Sequence, residues 1–131
     1  MPKNDYLLIS RGQWDSSASK EAVQEAIDRF YVWYEQGLAS GRLKPGTRLG
    51  VGGKQVSRAG VIDGPFTEAK EVIGGYWFIV ADSLDEAAAI AAENPCLAFG
   101  LTAEVRPLAS ERANVAVPSN ETPPAWRADK G

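Results

Sequence analysis

Residues 74–81 read GGYWFIVA, and this stretch decides how the rest of the chain is arranged. In a β-strand, Tyr76, Phe78 and Val80 would face one way, and the apolar residues between them would face the other. A strand that is apolar on both sides occurs in a sheet that is covered on both faces. Because the chain has only 131 residues, we expect a second copy of the protein to supply one of the two covers.

Composition predicts one globular domain. The chain is 44% apolar and carries a net charge of −3, values within the ordinary range for a domain of this length. Basic and acidic residues are mixed along the chain, with no basic run to neutralise nucleic-acid phosphates, so we expect no nucleic-acid partner. No apolar run approaches the ~20 residues needed to cross a bilayer. The start of the chain is polar. We therefore expect a soluble, cytoplasmic protein with no membrane partner.

Two residue counts restrict the chemistry. The chain has no histidine, which removes the commonest metal ligand and the commonest general base. Cys96 is the single cysteine, so neither an internal disulfide nor a thiolate metal cluster can form. We expect no metal site and no cofactor.

The segments before the central stretch predict a strand, a helix and a hairpin. Tyr6–Ile9 is a short apolar run typical of a buried strand. Between Lys20 and Ser40, apolar residues recur at helical spacing. The pair Gly52-Gly53 predicts a two-residue hairpin turn between strands at 47–51 and 55–58.

The segments after the central stretch predict a helix and a last strand. Residues 83–86 read SLDE, a capping box in which Ser83 accepts from the Glu86 amide while the Glu86 carboxylate reaches back. The helix would end at Asn94-Pro95. Residues 101–106 alternate between apolar and polar, as a half-buried strand does.

The order strand, helix, hairpin, strand, helix, strand predicts an α+β fold of the ferredoxin-like, split βαβ kind. Its antiparallel sheet would have two helices on one face. We assign residues 1–108 to this domain. Residues 109–131 are polar and contain three prolines, and we expect a loose C-terminal tail unless Trp126 anchors it.

Four motifs resemble those of the YCII-related proteins of the DGPF type: DGPFTEAKE at 63–71, GGY at 74–76, LDEA at 84–87 and EVRPL at 104–108. The resemblance runs from Tyr6 to Leu108. It implies a bacterial homodimer, a dimeric α+β barrel in which two ferredoxin-like sheets pack face to face. The function of most such proteins is unknown, and some relatives are encoded beside, or fused to, extracytoplasmic-function sigma factors. Narrower YCII enzymes are thought to use a histidine on the first helix with an aspartate, a dyad that this chain lacks.

Asp63 is the best candidate for a catalytic residue. A carboxylate at the mouth of a barrel can act as a general base or bind a polar ligand. The structural alternative, which we favour, is an Asx turn with the backbone that follows Asp63.

Further side chains are candidates for ligand binding. Arg11, Trp14 and Arg106 lie near the ends of the predicted first and last strands, where a guanidinium beside an indole would hold an anionic or aromatic ligand. Alternatively, the aliphatic parts of these side chains pack on the domain and the two arginines pair with carboxylates such as Glu104. The polar residues after Asp63 would form a rim, or else a solvated cluster of mutually paired charges. The ligand-binding candidates are Arg11, Trp14, Asp63, Thr67, Glu68, Lys70 and Arg106.

Two functions remain open at this point. One is a cofactor-free protein that binds a small molecule, with or without weak enzymatic activity, at a site between sheet and helices near Asp63, Arg11 and Arg106. The other is a non-catalytic regulatory or interaction module, linked to an extracytoplasmic-function sigma factor and acting through its exposed faces or its tail. Barrels of this kind often form pockets, which favours the first function. The absence of histidine favours the second.

Overall fold

The structure is a computed structural model that describes residues 3–64 and 72–127. Strands and helices alternate along the chain, with a separate hairpin in the middle. The strands are β1 (Asn4–Arg11), β2 (Leu43–Arg48), β3 (Lys54–Ser57), β4 (Gly60–Asp63), β5 (Ile73–Ala81) and β6 (Thr102–Pro107). The helices are α1 (Lys20–Ser40), α2 (Leu84–Ala91), a 3-10 helix (Pro95–Phe99) and α3 (Pro124–Arg127).

The main sheet has four strands in the order β2-β5-β1-β6, and all neighbouring strands are antiparallel. Leu8 pairs with Trp77 and Leu7 with Phe78, so β1 and β5 form the centre of the sheet. This topology confirms the predicted α+β, ferredoxin-like arrangement.

The core lies between the sheet and the helices. Leu8 and Ile79 are completely buried on the helix side of the two central strands. Trp77 packs against the rings of Phe30 and Tyr34 from α1, with centroids 5.2 and 5.8 Å away. Aromatic side chains remove large apolar areas from water, so this cluster contributes to the hydrophobic stabilisation of the core.

Helices α1 and α2 both begin at capping residues, but α2 ends at Ala91, before the predicted stop at Asn94-Pro95, where Asn94 instead caps the 3-10 helix. Ser19 caps α1, and Gly41 ends it in the left-handed conformation at φ 83°. Ser83 Oγ accepts from the Glu86 amide at 3.1 Å, as predicted. The Glu86 carboxylate accepts from the Asp82 amide at 2.7 Å, whereas a standard capping box would use the amide of Ser83.

The predicted hairpin turn at Gly52-Gly53 is wrong. Residues 43–48 form β2, which pairs with β5 as the edge strand of the main sheet. The hairpin is β3–β4, where Val56 pairs with Val61 and the chain turns at Arg58 and Ala59. Tertiary pairing with β5 outweighs the local turn signal.

The second face of the sheet carries the other side chains of β1 and β5. Tyr76, Phe78 and Val80 lie on this open face with Leu7 and Ile9, and all five are half-buried. The Tyr76 and Phe78 rings meet edge to face, with centroids 6.1 Å apart. The open face is therefore apolar at its centre.

The C-terminal segment contains one short helix, α3, within the described residues. Trp126 lies on that helix and is 63% exposed, so it is not buried on the domain. The division of the chain at residue 108 stays a prediction. Among the described helices, none has both the length and the apolar character that a membrane span requires.

Candidate functional site

An open cavity of about 780 Å³ lies between the sheet and α1. This volume falls within the range of pockets that hold small organic ligands. Aromatic and aliphatic side chains form much of its wall, as in most such pockets. The wall includes Trp14, Ile27, Phe30, Tyr34, Trp77 and Cys96.

Small residues at the strand ends keep this space open. Gly12, Gly74 and Gly75 line the cavity and bring no side chain into it. Gly12 has φ 94°, and its amide donates to the carbonyl of Val72 at 3.0 Å, which fixes the path of the chain as it leaves β1. A positive φ is accessible to glycine at little cost. The pairing of β1 with β5 also shifts between Ser10 and Arg11.

Three side chains of the wall offer hydrogen-bond donors. The indole N–H of Trp77 is buried and has no acceptor among the residues that the structure describes. The Tyr34 hydroxyl oxygen accepts from the Gly46 amide at 3.2 Å, which leaves its O–H free to donate. Arg48 is the one charged side chain in the described part of the wall, and it has no ion pair with any described residue.

Asn94 and Cys96 form a buried part of the same wall. The Asn94 Oδ1 accepts from the Cys96 amide at 2.8 Å and so caps the 3-10 helix. Burial raises the pKa of the Cys96 thiol. The thiol is therefore neutral near pH 7, and a neutral thiol is a poor nucleophile.

Of the residues predicted for the site, the structure places Trp14 in the wall of the cavity. It places Arg11 and Arg106 elsewhere, on the open face of the sheet. There the Arg11 Nε and an Arg106 guanidinium nitrogen donate to the two oxygens of Glu104, at 2.6 and 2.7 Å. The hydrogen bond from Arg106 and that from Arg11 lower the pKa of the Glu104 carboxyl. The structure therefore shows the alternative that the sequence analysis gave for these two arginines, which is ion pairing with Glu104.

Asp63 ends β4 and does not line the cavity. Its side chain is 75% exposed and forms an ion pair with Lys54 on the neighbouring strand. The residue two positions on is Pro65, which has no amide hydrogen to give to an Asx turn. The described partner of Asp63 is thus a lysine across the hairpin. Three other candidates, Thr67, Glu68 and Lys70, lie outside the described residues.

Sequence reasoning missed Arg48, Asn94 and Cys96 as neighbours in one wall. The sequence places Arg48 in the predicted hairpin strand at 47–51, whereas its pairing with Gly75 in the main sheet brings it to the cavity. One signal was available in the sequence, because α1 carries more large aromatic residues than one sheet contact needs. Phe30 and Tyr34 of that helix contact Trp77 of the sheet and also form part of the wall.

Within residues 3–64 and 72–127, no group of three or more acidic or thiol side chains is placed to hold a metal ion. The comparison with curated proteins found no match. The family model described as "YCII-related domain" matches residues 6–108. Since that match covers most of the 131 residues, the chain belongs to the YCII-related domain family.

Proposed function

We propose that this protein is a cytoplasmic, cofactor-free small-molecule-binding protein and that its ligand occupies the cavity between the sheet and α1. One observation carries the proposal: Trp77 lines an open cavity of about 780 Å³, and its buried indole N–H has no described partner. An unpaired buried donor costs ~1–3 kcal/mol. A ligand that offers an acceptor would remove that cost.

The composition of the wall favours binding over catalysis. Its described residues include no carboxylate, the chain has no histidine, and the Cys96 thiol is held neutral by burial. A reaction with Asp63 as base would require the β3–β4 hairpin to bring that carboxylate to the cavity. We therefore assign Asp63 no catalytic role.

We also propose that a second copy of the protein covers the open face. The five half-buried apolar side chains at its centre are flanked by ion pairs. Lys44 pairs with Asp5 at 2.9 Å on one side, and Glu104 pairs with two arginines on the other. An apolar centre with a polar rim is the usual anatomy of a protein interface. A ligand would then reach only the helix side of the sheet.

A second candidate function is a non-catalytic interaction module, with an extracytoplasmic-function sigma factor as the partner suggested by the family resemblance. The observation that favours it is the β3–β4 hairpin, where Val56, Val61 and Ile62 are each more than 60% exposed. The two functions differ in what Val61→Lys would do. This substitution would abolish an interaction through the hairpin and would leave the cavity unchanged.

The four tryptophans provide a direct test of cavity binding. Trp14 and Trp77 line the cavity, whereas Trp33 donates to Glu93 at 2.9 Å outside it and Trp126 is exposed on α3. We expect 1-anilinonaphthalene-8-sulfonate (ANS), titrated into the ¹⁵N-labelled protein, to shift the indole signals of Trp14 and Trp77. The signal of Trp126, which is exposed on α3, should stay in place.

Trp33→Phe and Trp126→Phe assign the signals of these two tryptophans. Trp126 is the control, because the Trp33 ring packs against Phe30 and Trp77 of the cavity wall. Saturable shifts of Trp14 and Trp77, with Trp126 unmoved, support the proposal. A titration that leaves both of them unmoved, whether or not ANS binds elsewhere, overturns it.

A further inference from the structure

We infer that the ligand is an anion attached to a planar apolar body, with its anionic oxygens directed to Arg48. This inference rests on the proposed function and adds the chemical class of the ligand. Sulfonates and carboxylates on an aromatic ring belong to that class.

Arg48 is held at the rim of the cavity by the main sheet. It is the last residue of β2 and pairs with Gly75, and the amide of the next residue, Leu49, donates to the Gly74 carbonyl at 2.9 Å. The base of the side chain is thus fixed, while its exposed guanidinium has no described carboxylate to neutralise it. A guanidinium offers a planar fork of donors that matches a carboxylate or sulfonate.

The interior of the cavity adds donors and flat surfaces. The buried Trp77 N–H has no described acceptor, and the Tyr34 O–H can donate because its oxygen accepts from the Gly46 amide. The rings of Phe30, Tyr34 and Trp77 pack within 6 Å of one another, centroid to centroid. Such surfaces favour a planar body that can stack or meet them edge to face.

A cationic ligand fits this wall less well. Aromatic faces attract cations, but the described wall provides no carboxylate to pair with one, and Arg48 repels it. The positive charge of Arg48 therefore selects against cations. Its attraction for an anion also speeds the association of an anionic ligand.

The matched dyes ANS and N-phenyl-1-naphthylamine test the inference, because they share one aromatic body and only ANS carries a sulfonate. We expect Arg48→Met to weaken ANS binding about five-fold, measured by dye fluorescence, and to change the affinity of the uncharged dye by less than about two-fold. Arg48→Lys should restore part of the loss. Arg58→Met, in the hairpin turn, should affect neither dye.

The outcomes separate the inference from the proposed function. If both dyes shift the cavity tryptophans but ANS binds Arg48→Met as tightly as it binds the wild type, the anion inference is wrong and the cavity proposal stands. An equal loss for both dyes also contradicts the inference, because the substitution would then have changed the shape of the wall. If neither dye moves the indole signals of Trp14 and Trp77, both ideas fail.

Discussion

Glu104 shows how single residues set the electrostatics of the open face. Two guanidinium groups donate to its two oxygens, and this contact lowers the pKa of the carboxyl from its ordinary value of 4.5. A carboxyl with a lowered pKa in the folded state stabilises the fold fully at pH above the unfolded value. That contribution is lost as the pH falls from 4.5 through the folded pKa.

We therefore expect the free energy of unfolding of the wild type to exceed that of Glu104→Gln at neutral pH. The difference should shrink as the pH falls below 4.5. Urea unfolding at a series of pH values measures it. Glu25→Gln, on the exposed side of α1, serves as the control and should show little difference at any pH. A difference for Glu104→Gln that is constant with pH would contradict this explanation.

Residue positions in a strand explain why the sequence predicted part of the site and missed the rest. Ser10 faces the cavity, so Arg11, one residue on, faces the opposite side of the sheet and meets Glu104. Trp14 lies past the strand end, where the chain turns back toward α1, and it reaches the cavity. Nearness in sequence suggested one site for Arg11 and Trp14, but strand alternation separates them.

At the scale of elements, the contact between β2 and β5 is the feature that the sequence did not predict. A register shift between Lys44 and Thr47 accommodates Pro45 and Gly46 in an edge strand. This pairing lies between residues about thirty positions apart, whereas a turn signal such as Gly52-Gly53 is local. The long helix α1 was predicted with its observed bounds because its apolar period repeats over five turns.

Gly46 tests the importance of this contact. A Cβ at Gly46 would overlap the carbonyl oxygen of Tyr76, which belongs to the backbone of β5 and cannot move aside. We expect Gly46→Ala to lower the free energy of unfolding by about 3 kcal/mol. Gly50→Ala, where a Cβ meets nothing within 4 Å, should change it by less than about 0.5 kcal/mol. Equal effects in thermal or urea unfolding would show that β2 does not pack on β5 as described.

At the scale of the whole molecule, the two faces of the sheet have different roles in this account. The helix side carries the core and, at one end, the cavity. The open side carries half-buried apolar residues with ion pairs beside them. The pattern of residues 74–81 predicted that both faces need a cover, because a strand with six consecutive apolar residues has no side suited to water. The position of the cavity was not predictable from that pattern, since it depends on where glycines end the central strands.

The central claim is that a second copy covers the open face and so leaves the helix side for the ligand. Sedimentation velocity at micromolar concentration tests it most directly. Phe78 lies in the middle of the open face, opposite Leu7, and Val56 lies on the exposed hairpin. We predict a dimer for the wild type and for Val56→Asp, and a folded monomer for Phe78→Asp whose circular dichroism matches the wild type. A wild-type protein that sediments as a stable, folded monomer would contradict the claim.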